Sequence, residues 1–184
     1  MKKYTLIKNN NKLNITYLFG YSLFVILFSL FFSSCGIYSF RDVSIDYSKI
    51  KTVKITYIDN KSPGYKNPQL SQLLTDKIQQ KIVSQTKLTR TNNDNADMEI
   101  GGYISDYSVS TSAISSTQAA TNRLTVGVHL IVKNKLENEP KAIDVSRSFD
   151  FSANLSLQQA EGQLLTQIIS NLTDDIFNRI FSNW

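Results

Sequence analysis

The feature that most constrains this chain is an apolar run, Leu18–Phe32 (LFGYSLFVILFSLFF), separated by two serines from the only cysteine, Cys35. Lys2, Lys3, Lys8 and Lys12 precede the run, and no acidic residue does. A positive segment, a short apolar segment and small residues before a cut describe an export signal. The run is about 15 residues, short of the roughly 20 that carry a helix across a bilayer. The chain therefore divides into a leader, residues 1–34, and a remainder that must fold after export. With a single cysteine, that remainder has no internal disulfide to lean on. A domain of about 150 residues buries about 68–70% of the surface its unfolded chain exposes, so a core can replace the missing staple.

Ser33-Ser34-Cys35-Gly36 resembles the lipobox of bacterial lipoproteins. There a small residue precedes a cysteine that is diacylated, becomes the new N-terminus and is acylated again. Phe32 stands where such boxes more often have Leu. The competing reading is an uncleaved signal anchor with an incidental cysteine, and the shortness of the run argues against it. Each buried CH₂ of an acyl chain contributes about 0.8 kcal/mol, and stable anchoring takes more than one chain. On this reading residues 35–50 are a lipidated tether and residues 51–184 are the folded domain.

The charge balance narrows the partners. The chain has 20 Lys and Arg against 15 Asp and Glu. Taking away the four leader lysines leaves 16 cations against the same 15 acids. The basic character belongs to the leader, and the body has no Lys/Arg run of patch size, so no nucleic-acid surface is expected.

The body alternates strand and helix patterns. Lys51–Ile58 alternates, with Val53, Ile55 and Tyr57 on the inner face. Asp59–Lys66 reads as a loop. Asn67-Pro68 opens a helix, Asn as the cap and Pro in the first turn, with Leu70, Leu73, Leu74, Ile78 and Ile82 as its stripe. Asp97–Tyr107 is a strand with Met98, Ile100 and Ile104 inward and Glu99, Tyr103 and Tyr107 outward. Gly101-Gly102 within it marks a bulge or a close backbone approach. Ser108–Asn122 has no charge and little periodicity, and reads as a long flexible connection. Arg123–Asn134 is the clearest strand, with Leu124, Val126, Val128, Leu130 and Val132 on one face. Asn138–Pro140 turns the chain into Ile143–Ala153, whose inward row of Ile143, Val145, Phe149 and Phe151 is interrupted by Arg147, an edge residue with its head in water. Ser156 and Gln159 form a capping box for a helix that runs to the C-terminus, its end pinned by aromatics up to Trp184.

The order is β-α-β-β-β-α. It predicts an α/β (α+β) two-layer sandwich, a four-stranded mixed sheet with two helices on one face and a polar, Thr-, Ser- and Tyr-rich other face.

No catalytic constellation emerges. His129 is the only histidine and falls on the polar face of the third strand, without a second His or Cys in the body to complete a metal cluster. Asp174 and Asp175 diverge by about 100° on a helix and read as solvated charges. There is no Gly-rich phosphate loop and no nucleophile elbow. The expected chemistry is binding, with no enzyme activity and no cofactor beyond the covalent lipid on Cys35.

Five segments, in order, resemble the lipopolysaccharide-assembly lipoprotein family LptE: Cys35–Phe40 (CGIYSF), Asn67–Gln72 (NPQLSQ), Gly102–Ser110 (GYISDYSVS), Asn122–Val126 (NRLTV) and Asp175–Trp184 (DIFNRIFSNW). The resemblance implies a sheet with two helices packed on it. It implies a partner, the outer-membrane β-barrel LptD, in and beneath which such lipoproteins sit as a plug and assembly aid. It also implies binding of lipopolysaccharide through basic residues. Arg123 and Lys133, on the polar side of the third strand, are the candidates for that contact, against the plainer reading of solvated strand charges. Gly36 follows the cysteine and Gly36–Arg41 holds no acid. By resemblance to lipoprotein sorting rules, that places the chain on the periplasmic face of the outer membrane. Two other classes stay open, an accessory lipoprotein of another envelope machine and a periplasmic enzyme with an unrecognised site.

Overall fold

The computed structural model describes residues 45–115 and 118–182, together with Gly20. The chain divides after Ser39 into two units, and the second, Phe40–Trp184, holds the folded domain. The leader, Cys35, the tether up to residue 44, and Trp184 lie outside the described residues.

Six strands and two helices make up the described domain. They are β1 (Thr52–Ile55), β2 (Asp59–Asn60), α1 (Leu70–Gln85), β3 (Thr89–Arg90), β4 (Met98–Ser115), β5 (Gln118–Asn134), β6 (Lys141–Ser152) and α2 (Leu157–Phe181). The sheet order is β3-β1-β4-β5-β6, with β2 pairing farther along β4. β1 and β2 run parallel to β4, whereas β4, β5 and β6 form an antiparallel meander. The fold is the expected α+β sandwich, with six strands in place of four. The two extra strands are only two residues each, too short to leave an alternation in the sequence.

The core is one cluster shared by sheet and helices. Leu124, Val126, Val128, Leu130 and Val132 of β5 are all buried, as are Ile143, Val145, Phe149 and Phe151 of β6. Leu70, Leu74, Ile78 and Ile82 of α1 and Ile168, Leu172, Ile176 and Phe181 of α2 complete it, all at or near zero exposure. Each such side chain contributes about 1.5–3 kcal/mol by leaving water. Leu73, expected on the α1 stripe, is 42% exposed and lines a cleft with Leu165 and Ile169 of α2. No helix among the described residues is long and apolar enough to cross a membrane.

The caps follow their residue types. Asn67 Oδ1 accepts from the backbone N–H groups of Gln69 (2.9 Å) and Leu70 (3.1 Å), so it caps α1 from before a Pro68-Gln69 turn. The Ser156–Gln159 capping box opens α2 as the sequence indicates.

Two local expectations are corrected, and one that left two alternatives is decided. β1 ends at Ile55 and the alternation slips by one, so Ile58 is buried and Tyr57 is 53% exposed. The first irregularity of β4 lies between Ile104 and Asp106, not at the glycines, and it turns Tyr107 from the polar face into the core. Gly102 serves the other purpose, close approach. A Cβ there would collide with the His129 carbonyl oxygen and lie 2.9 Å from Leu130 Cα.

The largest difference is Ser108–Asn122, which is strand at its described positions, 108–115 and 118–122, and not a flexible connection. β4 continues through Ser115 and β5 begins at Gln118, in register from Ser108↔Thr125 to Ser115↔Gln118. Apolar alternation reports burial of a face, and residues exposed on both faces, as Ser108–Thr111 are, carry none. Pairing with β5 holds it extended regardless of side-chain pattern.

Candidate functional site

The polar face of the sheet is built rung by rung from strand register. His129 lies opposite Tyr103 on one side and Asp144 on the other. The imidazole stacks obliquely on the Tyr103 ring at 5.3 Å, and its Nδ1 lies 2.7 Å from Asp144 Oδ1. Lys61, just past β2, places its ammonium 5.0 Å from the same tyrosine ring. A row of cation, phenol, imidazole and carboxylate therefore crosses the middle of the sheet. Above and below it, Thr125 faces Ser148 at 3.0 Å, Arg123 faces Asp150 and Lys133 faces Glu99.

Arg123 and Lys133 both stand on this face, each already engaged. Arg123 grips Asp150 in a fork, Nε at 2.7 Å and a terminal nitrogen at 3.0 Å. That hydrogen bond raises the guanidinium above its ordinary pKa and lowers the Asp150 carboxyl below its own. Lys133 donates to Glu99 at 3.1 Å. The two cations are ten residues apart on one strand, roughly 33 Å at about 3.3 Å per residue. The structure does not bring them to one headgroup.

Among the described residues, no three of His, Cys, Asp and Glu gather as a metal site. An open cleft of about 580 Å³ runs between β6 and α2, lined in part by Asp144, Arg147, Asp175 and Arg179, two acids against two bases.

A family model described as LptE, lipopolysaccharide-assembly, matches residues 50–180. The chain belongs to the LptE family. The match spans nearly all of the described domain. No curated protein matches in sequence. Among solved structures, the PelC dodecamer from Paraburkholderia phytofirmans is similar at 10% identity and a TM-score of 0.46, covering 73% of this chain and 91% of that one. The rare lipoprotein B from Shewanella oneidensis is similar at 14% identity and a TM-score of 0.42, covering 69% and 89%. An uncharacterized lipoprotein B from Nitrosomonas europaea is similar at 14% identity and a TM-score of 0.43, covering 71% and 79%.

The LptE domain also holds a site that sequence reading passed over. Glu161, in the first turns of α2, is 5% exposed. Tyr107 donates its hydroxyl to Oε1, and Tyr65, from the loop before α1, donates to Oε2 at 3.1 Å. Burial first, then the bond to Glu161, pushes both phenols above their ordinary pKa. The signal was present in the sequence, because Glu161 sits one turn after Leu157 and one before Leu165 on the inward stripe. An acid on such a stripe needs buried donors.

Asp174 and Asp175 are not simply solvated. Asp174 takes Lys81 of α1 at 2.6 Å, and Asp175 takes the guanidinium of Arg147 on β6. Adjacent on one helix and diverging, they tie α2 to the other helix and to the sheet edge.

Proposed function

We propose that the mature chain is a lipoprotein anchored through Cys35 to the periplasmic face of the outer membrane, where it joins an LptD-type β-barrel in lipopolysaccharide assembly. The observation that carries the reading is the family match over residues 50–180. The export leader and the lipobox-like run ending at Cys35 support the anchor and the address. An assembly role needs shaped surfaces and no covalent step, which suits a domain whose polar face is a set of satisfied ion pairs.

The arm formed by the ends of β4 and β5 and the polar face supply part of the barrel contact in this reading. Between Tyr107 and Asn122 the arm has no charged residue, so it can lie against a protein wall without burying an unpaired charge. Arg123 and Lys133 meet the anionic glycolipid separately. The Arg123 fork that now holds a carboxylate is the geometry that also receives a phosphate.

The test is recovery of the tagged full-length protein from native cells in mild detergent, with bound proteins identified by mass spectrometry. An LptD-type barrel is expected in near-stoichiometric yield. A different envelope machine in its place contradicts the proposal.

A further inference from the structure

The strands beside β4 stop before β4 does. Its last parallel contacts are Asn60 of β2 opposite Ile104 and the Lys61 N–H bonded to the Ile104 carbonyl. From Asp106 onward β4 pairs, among the described residues, with β5 alone. Among the described residues, no backbone bond from any other segment reaches Asp106–Thr111. Those six residues form a regular stretch, from Asp106↔Gly127 to Thr111↔Asn122, between irregularities at either end. Six residues is an ordinary strand length. In an antiparallel ladder alternate residues turn both N–H and C=O away from their partner, so this stretch presents a row of donors and acceptors that no other described segment meets.

The two long edges of the sheet are treated differently. On β6, Arg147 stands in the inward row and is pinned to Asp175, and Lys141, Asp144 and Asp150 add charge. An inward-pointing charge on an edge strand blocks the approach of another strand. The β4 edge has one charge, Asp106 at its first pair, and no inward-pointing charge beyond it. Ser108, Val109, Ser110 and Thr111 are all exposed and uncharged, with no Pro and no Lys, and Val109 is 43% exposed. The stretch is also held in place from behind. Tyr107 is bonded to buried Glu161, and β5 opposite is backed by β6 as far as Thr121↔Ser152. A preformed edge spares much of the ordering cost of binding.

We propose that this edge receives an extended segment of the barrel partner as an added strand along Asp106–Thr111. The inference rests on the barrel reading above and names the contact within it. A row of backbone donors and acceptors at strand spacing is satisfied in register only by another extended backbone. The wall strands of a closed barrel are paired on both edges, so the segment is a loop or terminal extension of the barrel protein. Its side chains facing Ser108 and Ser110 are uncharged or polar, and one apolar residue covers Val109.

Proline scanning separates strand addition from ordinary surface contact. Of Val109→Pro and Ser110→Pro, one removes an N–H bonded to β5 and the other an N–H on the open edge. In full-length, lipidated protein from native cells, the open-edge variant is expected to recover at least tenfold less barrel while melting like the wild type. The other variant is expected to melt lower. Wild-type recovery of barrel by both variants overturns strand addition and leaves the partnership standing. Absence of barrel with the wild type overturns the reading beneath and this proposal with it. A photo-crosslinker at Ser110 of the otherwise wild-type chain gives the answer without proline. An adduct on one extended segment of the barrel protein is expected, whereas an adduct on a second copy of this chain, or none, overturns the proposal.

Discussion

Tyr107 and Glu161 share a hydrogen bond in the interior of the domain although 54 residues separate them. The bond joins the root of the β4–β5 arm to the start of α2, and Tyr65 closes the group from the loop before α1. Three distant segments are thereby held by one buried carboxylate.

Removing a donor from that carboxylate is expected to be costly. A hydrogen bond to a charged group is worth about 1.5–3 kcal/mol, and Tyr107→Phe leaves a buried oxygen that water does not readily reach. Tyr65 is 44% exposed, so water replaces its hydroxyl more easily in Tyr65→Phe. Urea unfolding is expected to show the larger drop in midpoint for Tyr107→Phe. Equal midpoints for both variants and the wild type contradict the role given to Glu161.

Two strongly shifted groups contribute to the pH dependence of stability with opposite signs. Asp97 Oδ2 accepts from the backbone N–H groups of Lys51 (2.7 Å) and Thr52 (2.9 Å), and its other oxygen takes Lys135. The Lys135 bond first, then the backbone bonds, hold this carboxyl well below the ordinary value of 3.8. A lowered folded pKa gives stability that is present above 3.8 and lost as pH falls below it. Tyr107 has a raised pKa, so its contribution is present below 10.0 and lost as pH rises above it. Thermal unfolding across pH is expected to show both limbs. Asp97→Asn flattens the acid one and Tyr107→Phe the alkaline one; unchanged limbs in these variants contradict the assignment.

Sequence alternation found the buried halves of β5 and β6 because each has one face in the core and one in water. It missed the arm, whose residues 108–111 are exposed on both faces, and it misplaced Tyr107, because an extra residue near Ser105 reverses the faces without any glycine to mark it. Arg123 and Lys133 were legible as polar-face cations. Their carboxylate partners, Asp150 and Glu99, depend on register, which a single sequence does not display. Glu161 stood on the stripe of α2, but its donors were hidden for a different reason. One donor, Tyr65, comes from a loop without periodicity, and the other, Tyr107, lies just past the irregularity that reverses the alternation of β4.

The helix register makes a graded prediction. Ile168 is fully buried and Leu165 is only partly so. Ile168→Ala is expected to cost about 2–5 kcal/mol, and Leu165→Ala distinctly less. Denaturant midpoints check this. A larger loss at Leu165 means that α2 is rotated from the position described.

Arg147 is expected to protect β6. Arg147→Leu removes the inward charge from the edge, and the variant is expected to self-associate in light scattering as concentration rises. Asp175→Asn breaks the same ion pair but leaves the guarding charge, and is expected to stay dispersed. Equal behaviour of the two variants assigns the effect to the ion pair and contradicts the guard.

Anchoring and barrel partnership are tested together, and most directly, by a quantitative pull-down of the full-length protein from native cells, comparing the wild type with Cys35→Ala. An LptD-type barrel is expected as the dominant bound protein for the wild type, which carries acyl chains on an N-terminal Cys35 by intact mass. Cys35→Ala, uncleaved and without lipid, is expected to recover far less barrel. A wild-type protein with an N-terminus other than acylated Cys35, and no barrel bound, would contradict the proposed function.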